Sequence, residues 1–289
     1  MTRQPLVAKR AEDLLGTAVV STAPVAGGDI SIATRMRLSD GSTVFMKTHH
    51  QAAPGFFDAE ARSLAWLAES DGVATPEVLG HDEECLILRW IESGKTSPEA
   101  AANFGVALAR THLSGADAFG WDQDGFIGRL PLPNRTAPTW PEFFAVRRVL
   151  PYLKLARDRG HATEQDATII ESVIGRLPDL LPDEAPSRLH GDLWNGNVLW
   201  GLDGVVHVLD PASYGGHREA DLAMLSLFGL PHLPRVLDAY REASEEVRPL
   251  VEGWEERVAV HQLFPLLVHA CLFGGQYGAR AARLAGRYL

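Results

Sequence analysis

The stretch Leu189–Trp200, LHGDLWNGNVLW, places polar side chains inside an apolar run. Its leucines, valine and two tryptophans indicate burial, yet it also contains His190, Asp192, Asn195 and Asn197. A buried polar group without a partner destabilises a fold, so these side chains need partners. One interpretation is a tight turn at Asn195-Gly196 whose side chains cap local backbone. The other is a site that binds a ligand or an ion.

The composition of the chain is that of a globular protein and not of a nucleic-acid-binding or membrane protein. Its 289 residues are 46% hydrophobic and carry a formal net charge of −10, whereas a general nucleic-acid surface needs a basic face. No apolar run approaches the ~20 residues that cross a bilayer, and the first residues lack the apolar core of a signal peptide. We therefore expect a cytoplasmic protein with no nucleic-acid or membrane partner.

The pattern of the chain changes after residue 92. Residues 1–92 alternate strand and turn signals, with a hairpin signal at Asp40-Gly41 and one helix predicted in GFFDAEARSLAWLAES. Residues 93–289 are mainly helical in pattern. We therefore predict an α+β protein with two lobes: a small antiparallel-sheet lobe with one helix, residues 1–92, and a larger, mainly helical lobe, residues 93–289. A cleft between two such lobes is a natural ligand site.

The polar residues of the opening stretch have a recognisable spacing. His190-x-Asp192 is followed after four residues by Asn197, and thirteen residues later Asp210 ends the predicted strand VVHVL. This order is the catalytic arrangement of protein-kinase-like phosphotransferases. Phosphoryl transfer needs a carboxylate near the incoming hydroxyl and hard oxygen ligands for Mg²⁺. We interpret Asp192 as the catalytic carboxylate and Asn197 and Asp210 as magnesium ligands, and we expect His190 to hold the loop by hydrogen bonds.

The first part of the chain offers residues that could bind ATP. Lys47 ends the strand STVFMK, and Glu60, thirteen residues later on a predicted helix, could pair with it, which is a recurring component of kinases. Gly27 and Gly28 lie between the first two predicted strands, where backbone amides could cover phosphates. The segment that joins the lobes is expected to hydrogen-bond adenine through its backbone: Arg89, Trp90 and Ile91. Each signal is weak alone, but their joint order supports a nucleotide site.

Three stretches resemble the fructosamine-kinase, or ketosamine 3-kinase, family, whose relatives are the aminoglycoside phosphotransferases. LHGDLWNGNVLW resembles the catalytic loop of the family, DPASYGGHREADLAML from Asp210 resembles its metal-binding segment, and FGWDQDGFIGRLPLPN resembles an insert in its larger lobe. The resemblance implies a two-lobed kinase-like fold. It also implies ATP-dependent phosphorylation of a sugar hydroxyl, suggested to be the 3-hydroxyl, on ketoamines such as fructosamines or ribulosamines. Such a reaction would repair glycated amines or proteins.

The resemblance also implies roles around the substrate. Trp194, which separates this family from many other small-molecule kinases, is expected to contact the sugar, although simple packing is the alternative. His217 and Glu219 are expected to flank the cleft as substrate contacts. Asp221 is expected to brace the catalytic loop.

Two other functions stay open from the sequence. A kinase of the same fold could act on an aminoglycoside, choline or homoserine, but Trp194 and DPASYGGHRE argue against it. A pseudokinase that binds ATP without turnover is the second alternative, and the joint presence of the catalytic set argues against it. The exact sugar and amine of the substrate, the position phosphorylated, the preference for ATP over other nucleotides and the oligomeric state do not follow from the sequence.

Overall fold

A computed structural model describes residues 4–26 and 31–289 of the chain. Its first part contains α1 (Gln4–Leu15), β1 (Val19–Pro24), β2 (Ile32–Leu38), β3 (Thr43–Thr48), α2 (Phe56–Ala68), β4 (Val78–Asp82) and β5 (Cys85–Arg89). The strands form one antiparallel sheet in the order β1-β2-β3-β5-β4, and β2 and β3 make the predicted hairpin around Asp40-Gly41. The turn expected at Gly27 and Gly28 lies outside the described residues.

The helix α1 was not expected, because one helix was predicted in this part of the chain and the structure has two. Its apolar residues pack on the sheet: Ala11 is fully buried, and Val7 and Leu14 lie against the same cluster. These positions share one face of a helix, since they are separated by four and three residues. The sheet is therefore covered by a helix on each face.

Alternation along β3 determines where Lys47 points. Val44 and Met46 belong to the cluster that contains α1, whereas Phe45 lies with the cluster that contains α2. Because successive side chains of a strand point to opposite faces, Lys47 shares the face of Phe45 and of α2. The strand thus directs its lysine towards the helix that carries Glu60.

The second part of the chain is mainly helical, as predicted. It contains α3 (Pro98–Leu113), β6 (Gly125–Ile127), β7 (Leu130–Leu132), α4 (Trp140–Phe143), α5 (Leu150–Asp158), α6 (Glu164–Ile174), α7 (Leu177–Leu180), β8 (Ser187–Leu189), β9 (Val198–Trp200), β10 (Val206–Val208), β11 (Tyr214–Gly216), α8 (Glu219–Leu227), α9 (Leu233–Ser244), α10 (Trp254–His261), α11 (Leu263–Phe273) and α12 (Tyr277–Ala285). A π-helical segment, Phe144–Val149, joins α4 to α5 just before Pro151. In the described ranges, no helix is both long enough and apolar enough to cross a membrane.

Two short antiparallel pairs hold the loop from the opening stretch. β8 pairs with β11, and β9 pairs with β10, so residues 190–197 run from one pair to the other. The segment between β5 and α3 is tied to the second pair, because the Gly94 amide donates to the Trp200 carbonyl over 2.7 Å. The architecture is α+β, as predicted, and the boundary between residues 92 and 93 stays a prediction.

Candidate active site

Residues 190–197, here called the catalytic loop, are braced by a buried carboxylate. Asp221, in the first turn of α8, accepts hydrogen bonds from the amides of His190 and Gly191 at 2.7 and 3.0 Å. The His190 imidazole lies 2.9 Å from the Leu209 carbonyl through Nε2. The side chains of Asp221 and His190 therefore both hold the catalytic loop by hydrogen bonds, as expected.

Gly191 lets the catalytic loop approach the chain that follows Asp210. Its φ is +82°, in the left-handed region, and a Cβ atom there would lie 2.0 Å from the Ala212 carbonyl oxygen. Only glycine fits such a contact without a backbone shift. The Leu209 amide donates to the Asn197 carbonyl over 2.9 Å, so Asn197 and Asp210 are brought together as well.

Asp192 and Asn197 are hydrogen-bonded to each other within the catalytic loop. The side-chain Nδ2 of Asn197 donates to the backbone carbonyl of Asp192 at 2.8 Å and to Oδ2 of Asp192 at 3.1 Å. Burial raises the pKa of Asp192 to about 7, against the lowering effect of this hydrogen bond. Because the side-chain nitrogen of Asn197 faces the Asp192 carboxylate, the side-chain oxygen of Asn197 is the atom suited to bind a cation.

Lys47 connects the two parts of the molecule at this point. Its Nζ lies 2.7 and 2.9 Å from the two carboxylate oxygens of Glu60 and 2.7 Å from Asp210 Oδ1. Burial alone would lower the pKa of Lys47, but the carboxylates of Asp210 and Glu60 raise it above its ordinary value. The ammonium therefore stays charged between one carboxylate from α2 and one that follows β10.

Asp210 has an unusual backbone conformation, with φ of +52°. Asp adopts the left-handed region more readily than most residues, but at a cost that concentrates at functional sites. About half of its side chain is exposed (49%), in contrast to Glu60 (10%). Asp210 therefore offers carboxylate surface to a ligand while one of its oxygens holds Lys47.

A cavity of about 630 Å³ opens between the sheet and the helical part of the molecule. The candidate residues that line it are Lys47, Glu60, Arg89, Trp90, Ile91, Asp192, Trp194, Asn197 and Asp210. The structure thus brings together side chains from β3, α2, the end of β5 and the catalytic loop. The remaining nucleotide-site candidates, Gly27 and Gly28, lie outside the described residues.

Trp194 both packs and lines the cavity. Its ring meets Phe228 and His269 edge to face, with centroids 5.7 and 6.5 Å apart. The indole therefore forms part of the cavity wall next to Asp192, where the sequence placed a substrate contact.

His217 and Glu219 are not at the cavity, although the sequence placed them beside the cleft. Each is 1% exposed, and neither lines the cavity. His217 Nε2 lies 3.3 Å from Glu184, and Glu219 forms an ion pair with Arg257 and lies 3.3 Å from His261 Nε2. Glu219 begins α8 and His217 lies just before it, and both side chains point into the core. This placement does not support direct substrate contact from either residue.

Several cavity residues were not predicted from the sequence. Trp121 and Asp124 come from the segment that leads into β6, Phe126 comes from β6 itself, and His269 comes from α11. His269 carries a signal that could have been used, because it is a polar residue in the otherwise apolar run LFPLLVHACLF. The segment before β6 resembles an insert of the family, but its sequence carried no further signal that it lines the cavity.

The oxygen atoms around the catalytic loop fit a divalent cation. Asp192, Asn197 and Asp210 present carboxylate and amide oxygens, which are the hard ligands that Mg²⁺ prefers. The raised pKa of Asp192 shows a buried carboxyl whose charge is poorly compensated, and a cation would compensate it. The donor set therefore suits magnesium bound with a nucleotide.

Comparison with known proteins identifies the family of this chain. The model of the fructosamine kinase family matches residues 4–289. A probable ketoamine kinase of Escherichia coli is 36% identical over 268 residues, which are 91% of each chain. A crystal structure of a protein from Thermobifida fusca, assigned as a fructosamine-3-kinase, is 48% identical with a TM-score of 0.90 over 96% of both chains.

A more distant crystal structure shares the fold. The macrolide 2′-phosphotransferase of Brachybacterium faecium is 16% identical, with a TM-score of 0.62 over 98% of this chain and 97% of that one. The architecture is thus the protein-kinase-like fold of small-molecule phosphotransferases. Family model, relatives and fold agree, and the chain belongs to the fructosamine kinase family and is a phosphotransferase that acts on a hydroxyl group.

Proposed function

We propose that this protein transfers the terminal phosphate of ATP to a sugar hydroxyl of ketoamines, such as fructosamines and ribulosamines, in the repair of glycated amines or proteins. The observation that carries the proposal is the meeting of Lys47, Glu60 and Asp210 in one cavity with Asp192 and Asn197. The names of the relatives, which are ketoamine kinases, support the substrate class. The position phosphorylated is proposed to be the 3-hydroxyl, on family resemblance.

Asp192 is the group proposed to act on the acceptor. Its carboxylate lies on the cavity wall and is held by Asn197, so it can accept the proton of a sugar hydroxyl as the hydroxyl attacks phosphorus. His190 does not move a proton in this proposal, because its ring is buried against the Leu209 carbonyl.

Lys47 is proposed to bind the α- and β-phosphates of the nucleotide. Glu60 accepts from its ammonium through both carboxylate oxygens and so fixes its position. A bound phosphate would replace Asp210 as the second partner of Lys47. Asp210 would then be released to bind the metal.

Asn197 and Asp210 are proposed to hold Mg²⁺, which, when bound with ATP, neutralises charge on the phosphates. The backbone of the segment Arg89–Ile91 is proposed to hydrogen-bond adenine, because these residues line the cavity where β5 ends. Gly27 and Gly28 remain proposed phosphate-loop residues.

On the acceptor side, Trp194 is proposed to contact the sugar. Its ring is fixed by Phe228 and His269, so it presents a rigid apolar face next to Asp192. The cytoplasmic location and the glycated-protein substrate stay predictions.

A substrate screen tests the proposal. ADP release is measured with ATP and Mg²⁺ on fructose-, ribulose- and erythrulose-amines, and on an aminoglycoside, choline and homoserine. We expect turnover of ketoamines, with the phosphorylated position read from ³¹P–¹H couplings of the product. Turnover of an aminoglycoside alone would assign a different kinase of the same fold. Magnesium-dependent ATP binding without turnover of any ketoamine would favour the pseudokinase.

A further inference from the structure

Four side chains form a stack beside α2, and two of them, Arg62 and Trp121, also line the cavity. The Trp66 and Trp121 rings stack with centroids 4.8 Å apart at 28°. The guanidinium of Arg188 lies 4.6 Å from the centre of Trp66, and that of Arg62 lies 5.6 Å from the centre of Trp121. We call this the Arg–Trp stack. It joins two residues of α2, Arg62 and Trp66, to two residues of the helical part of the chain.

The two partners from the helical part are anchored beside the catalytic loop. Arg188 lies on β8, four residues before Asp192, and its guanidinium also donates to the Trp66 carbonyl. Trp121 follows Gly120, whose backbone exchanges two hydrogen bonds with Gly215 of β11, at 2.8 and 3.0 Å. Since β8 and β11 pair with each other, Arg188 and Trp121 are both tied to one small sheet next to the active site.

On the other side, the stack holds the helix that carries Glu60. Trp66 lies six residues after Glu60, somewhat less than two helical turns. A second contact between the two parts lies at the start of the helix, where Phe56 and Phe126 have centroids 5.2 Å apart. The helix is thus held at both ends by the segment 119–134.

The Arg–Trp stack is additional to the core packing of α2. Phe57, Leu64 and Leu67 are already buried against the rest of the protein. Trp66 and Arg188, by contrast, are only partly buried, and neither lines the cavity. Their contacts therefore add to the core packing that already holds α2.

We infer that the Arg–Trp stack positions α2 so that Glu60 holds Lys47 for phosphoryl transfer. The inference rests on the proposed function, because it takes the Lys47–Glu60 pair to be part of the catalytic machinery. Trp66 and Arg188 are positioning residues: they touch neither nucleotide nor acceptor and act through Glu60. The stack couples the helix to the same strands that carry the catalytic loop, so both halves of the site move as one.

A double-mutant cycle tests the inference. Trp66→Leu, Arg188→Lys and Glu60→Gln are made singly, and the first two are each combined with the third. We expect each stack variant to lower kcat by roughly 3- to 30-fold. The KM for the ketoamine should stay within about twofold of the wild-type value, since neither side chain lines the cavity. In the Glu60→Gln background, the stack variants should lower kcat by less than about twofold, because their effect passes through Glu60.

The control is Trp254→Leu, which removes another partly buried tryptophan, at the start of α10 and outside the stack. It should keep the wild-type kcat. The far-UV circular dichroism couplet of the stacked Trp66 and Trp121 rings should disappear in Trp66→Leu and persist in the control. Arg188→Lys keeps the charge and gives a second variant should Trp66→Leu not fold.

Three results separate the possibilities. Full kcat in both stack variants, with a low kcat in Glu60→Gln, would overturn the inference and leave the proposed function intact. Losses that multiply in the combined variants would also overturn it, because the stack would then act independently of Glu60. An unimpaired Glu60→Gln enzyme would instead contradict the proposed role of the Lys47–Glu60 pair.

Discussion

At the scale of single residues, Lys47 links two carboxylates of the candidate site. One ammonium contacts two carboxylates that lie 13 and 163 positions away in the sequence. The pair with Glu60 is buried, whereas the Asp210 carboxylate is half exposed. Removing the ammonium would leave Glu60 as a buried charge without its partner, which is costly.

We predict that Lys47→Met weakens ATP binding by roughly 10- to 100-fold, the value of a hydrogen bond to a charged group. It should also lower the free energy of unfolding by about 3 kcal/mol, the low end for a broken buried pair because Asp210 is half exposed. Titration calorimetry and urea unfolding measure the two effects. The control Lys154→Met removes an exposed pair with Asp158 and should change stability by less than about 0.5 kcal/mol. Wild-type ATP affinity in Lys47→Met would rule out the phosphate-binding role.

At the scale of elements, the segment 119–134 docks on β11 through two glycines. Gly120 has φ of +115°, and a Cβ there would lie 2.4 Å from the Asn134 carbonyl oxygen. A Cβ on Gly215 would lie 2.0 Å from the Ala118 carbonyl oxygen. The Gly120 contact lies within the segment itself, whereas at Gly215 the backbone of β11 comes too close to Ala118 for any side chain, so this docking depends on glycine at position 215.

We predict that Gly215→Ala lowers the free energy of unfolding by about 2 kcal/mol, because the backbone must shift to admit the methyl group. Urea unfolding measures the change. In Gly175→Ala, the matched control at the end of α6, the nearest atom to the added Cβ is 3.6 Å away, and this variant should be as stable as the wild type or slightly more so. Equal stability of the two variants would show that the segment docks in another way.

Elements with a local pattern were predictable from the sequence. The hairpin of β2 and β3, the helix α2 and the direction of Lys47 follow from turn residues and from periods of two and of about 3.6. The helix α1 was missed although Val7, Ala11 and Leu14 carry a helical spacing. The pairing of Gly120 with Gly215 could not be predicted, because it joins residues 95 positions apart with no local signature.

The part of the candidate site that belongs to the sequence motif was predictable. The order of Asp192, Asn197 and Asp210, with Lys47 and Glu60 upstream, predicted side chains that the structure does bring together. Their catalytic and metal-binding roles stay predictions. His217 and Glu219 lie close to the motif in sequence. Their direction could not be predicted, because proximity along the chain does not show whether side chains at the start of a helix point into the core or towards the cavity.

At the scale of the whole molecule, a buried ionic network lies behind the catalytic loop. His217 and His261 stack with centroids 5.3 Å apart, between the carboxylates of Glu184 and Glu219. Ligand atoms of His217, Glu219 and His261 lie within 4.8 Å of one another, but Arg257 already engages both oxygens of Glu219. Within this group, Arg257 and Glu219 therefore form a buried ion pair.

This network predicts how stability depends on pH. Burial lowers the pKa of His217 to about 3. Burial would raise the pKa of Glu219, but His261 and Arg257 lower it to about 2. In the unfolded chain these groups take up protons near their ordinary pKa values of about 6.5 and 4.3. The unfolded state therefore binds more protons than the folded state at acid pH, and stability falls as pH falls.

We expect the free energy of unfolding to decrease from about pH 6.5 towards pH 3, by up to about 1.4 kcal/mol per pH unit for each proton taken up on unfolding. Urea unfolding at a series of pH values measures the slope. His217→Gln should flatten the part of the curve between pH 6.5 and 4.5, since glutamine does not titrate. The groups that face His217 are Glu184, Arg218, Glu219, Arg257 and His261. An unchanged slope in His217→Gln would show that His217 is not the group responsible.

The most direct measurement is transfer of labelled phosphate from γ-³²P-ATP to a fructosamine, compared between the wild type and Asp192→Asn. The carboxylate of Asp192 acts on the attacking hydroxyl in this account, so the variant should fold normally, bind ATP, and transfer phosphate roughly 10²- to 10⁴-fold more slowly. Asp238→Asn, at an exposed position on α9, is the control and should transfer at the wild-type rate. Labelled ketoamine formed equally fast by Asp192→Asn, or none formed by the wild type, would contradict the account.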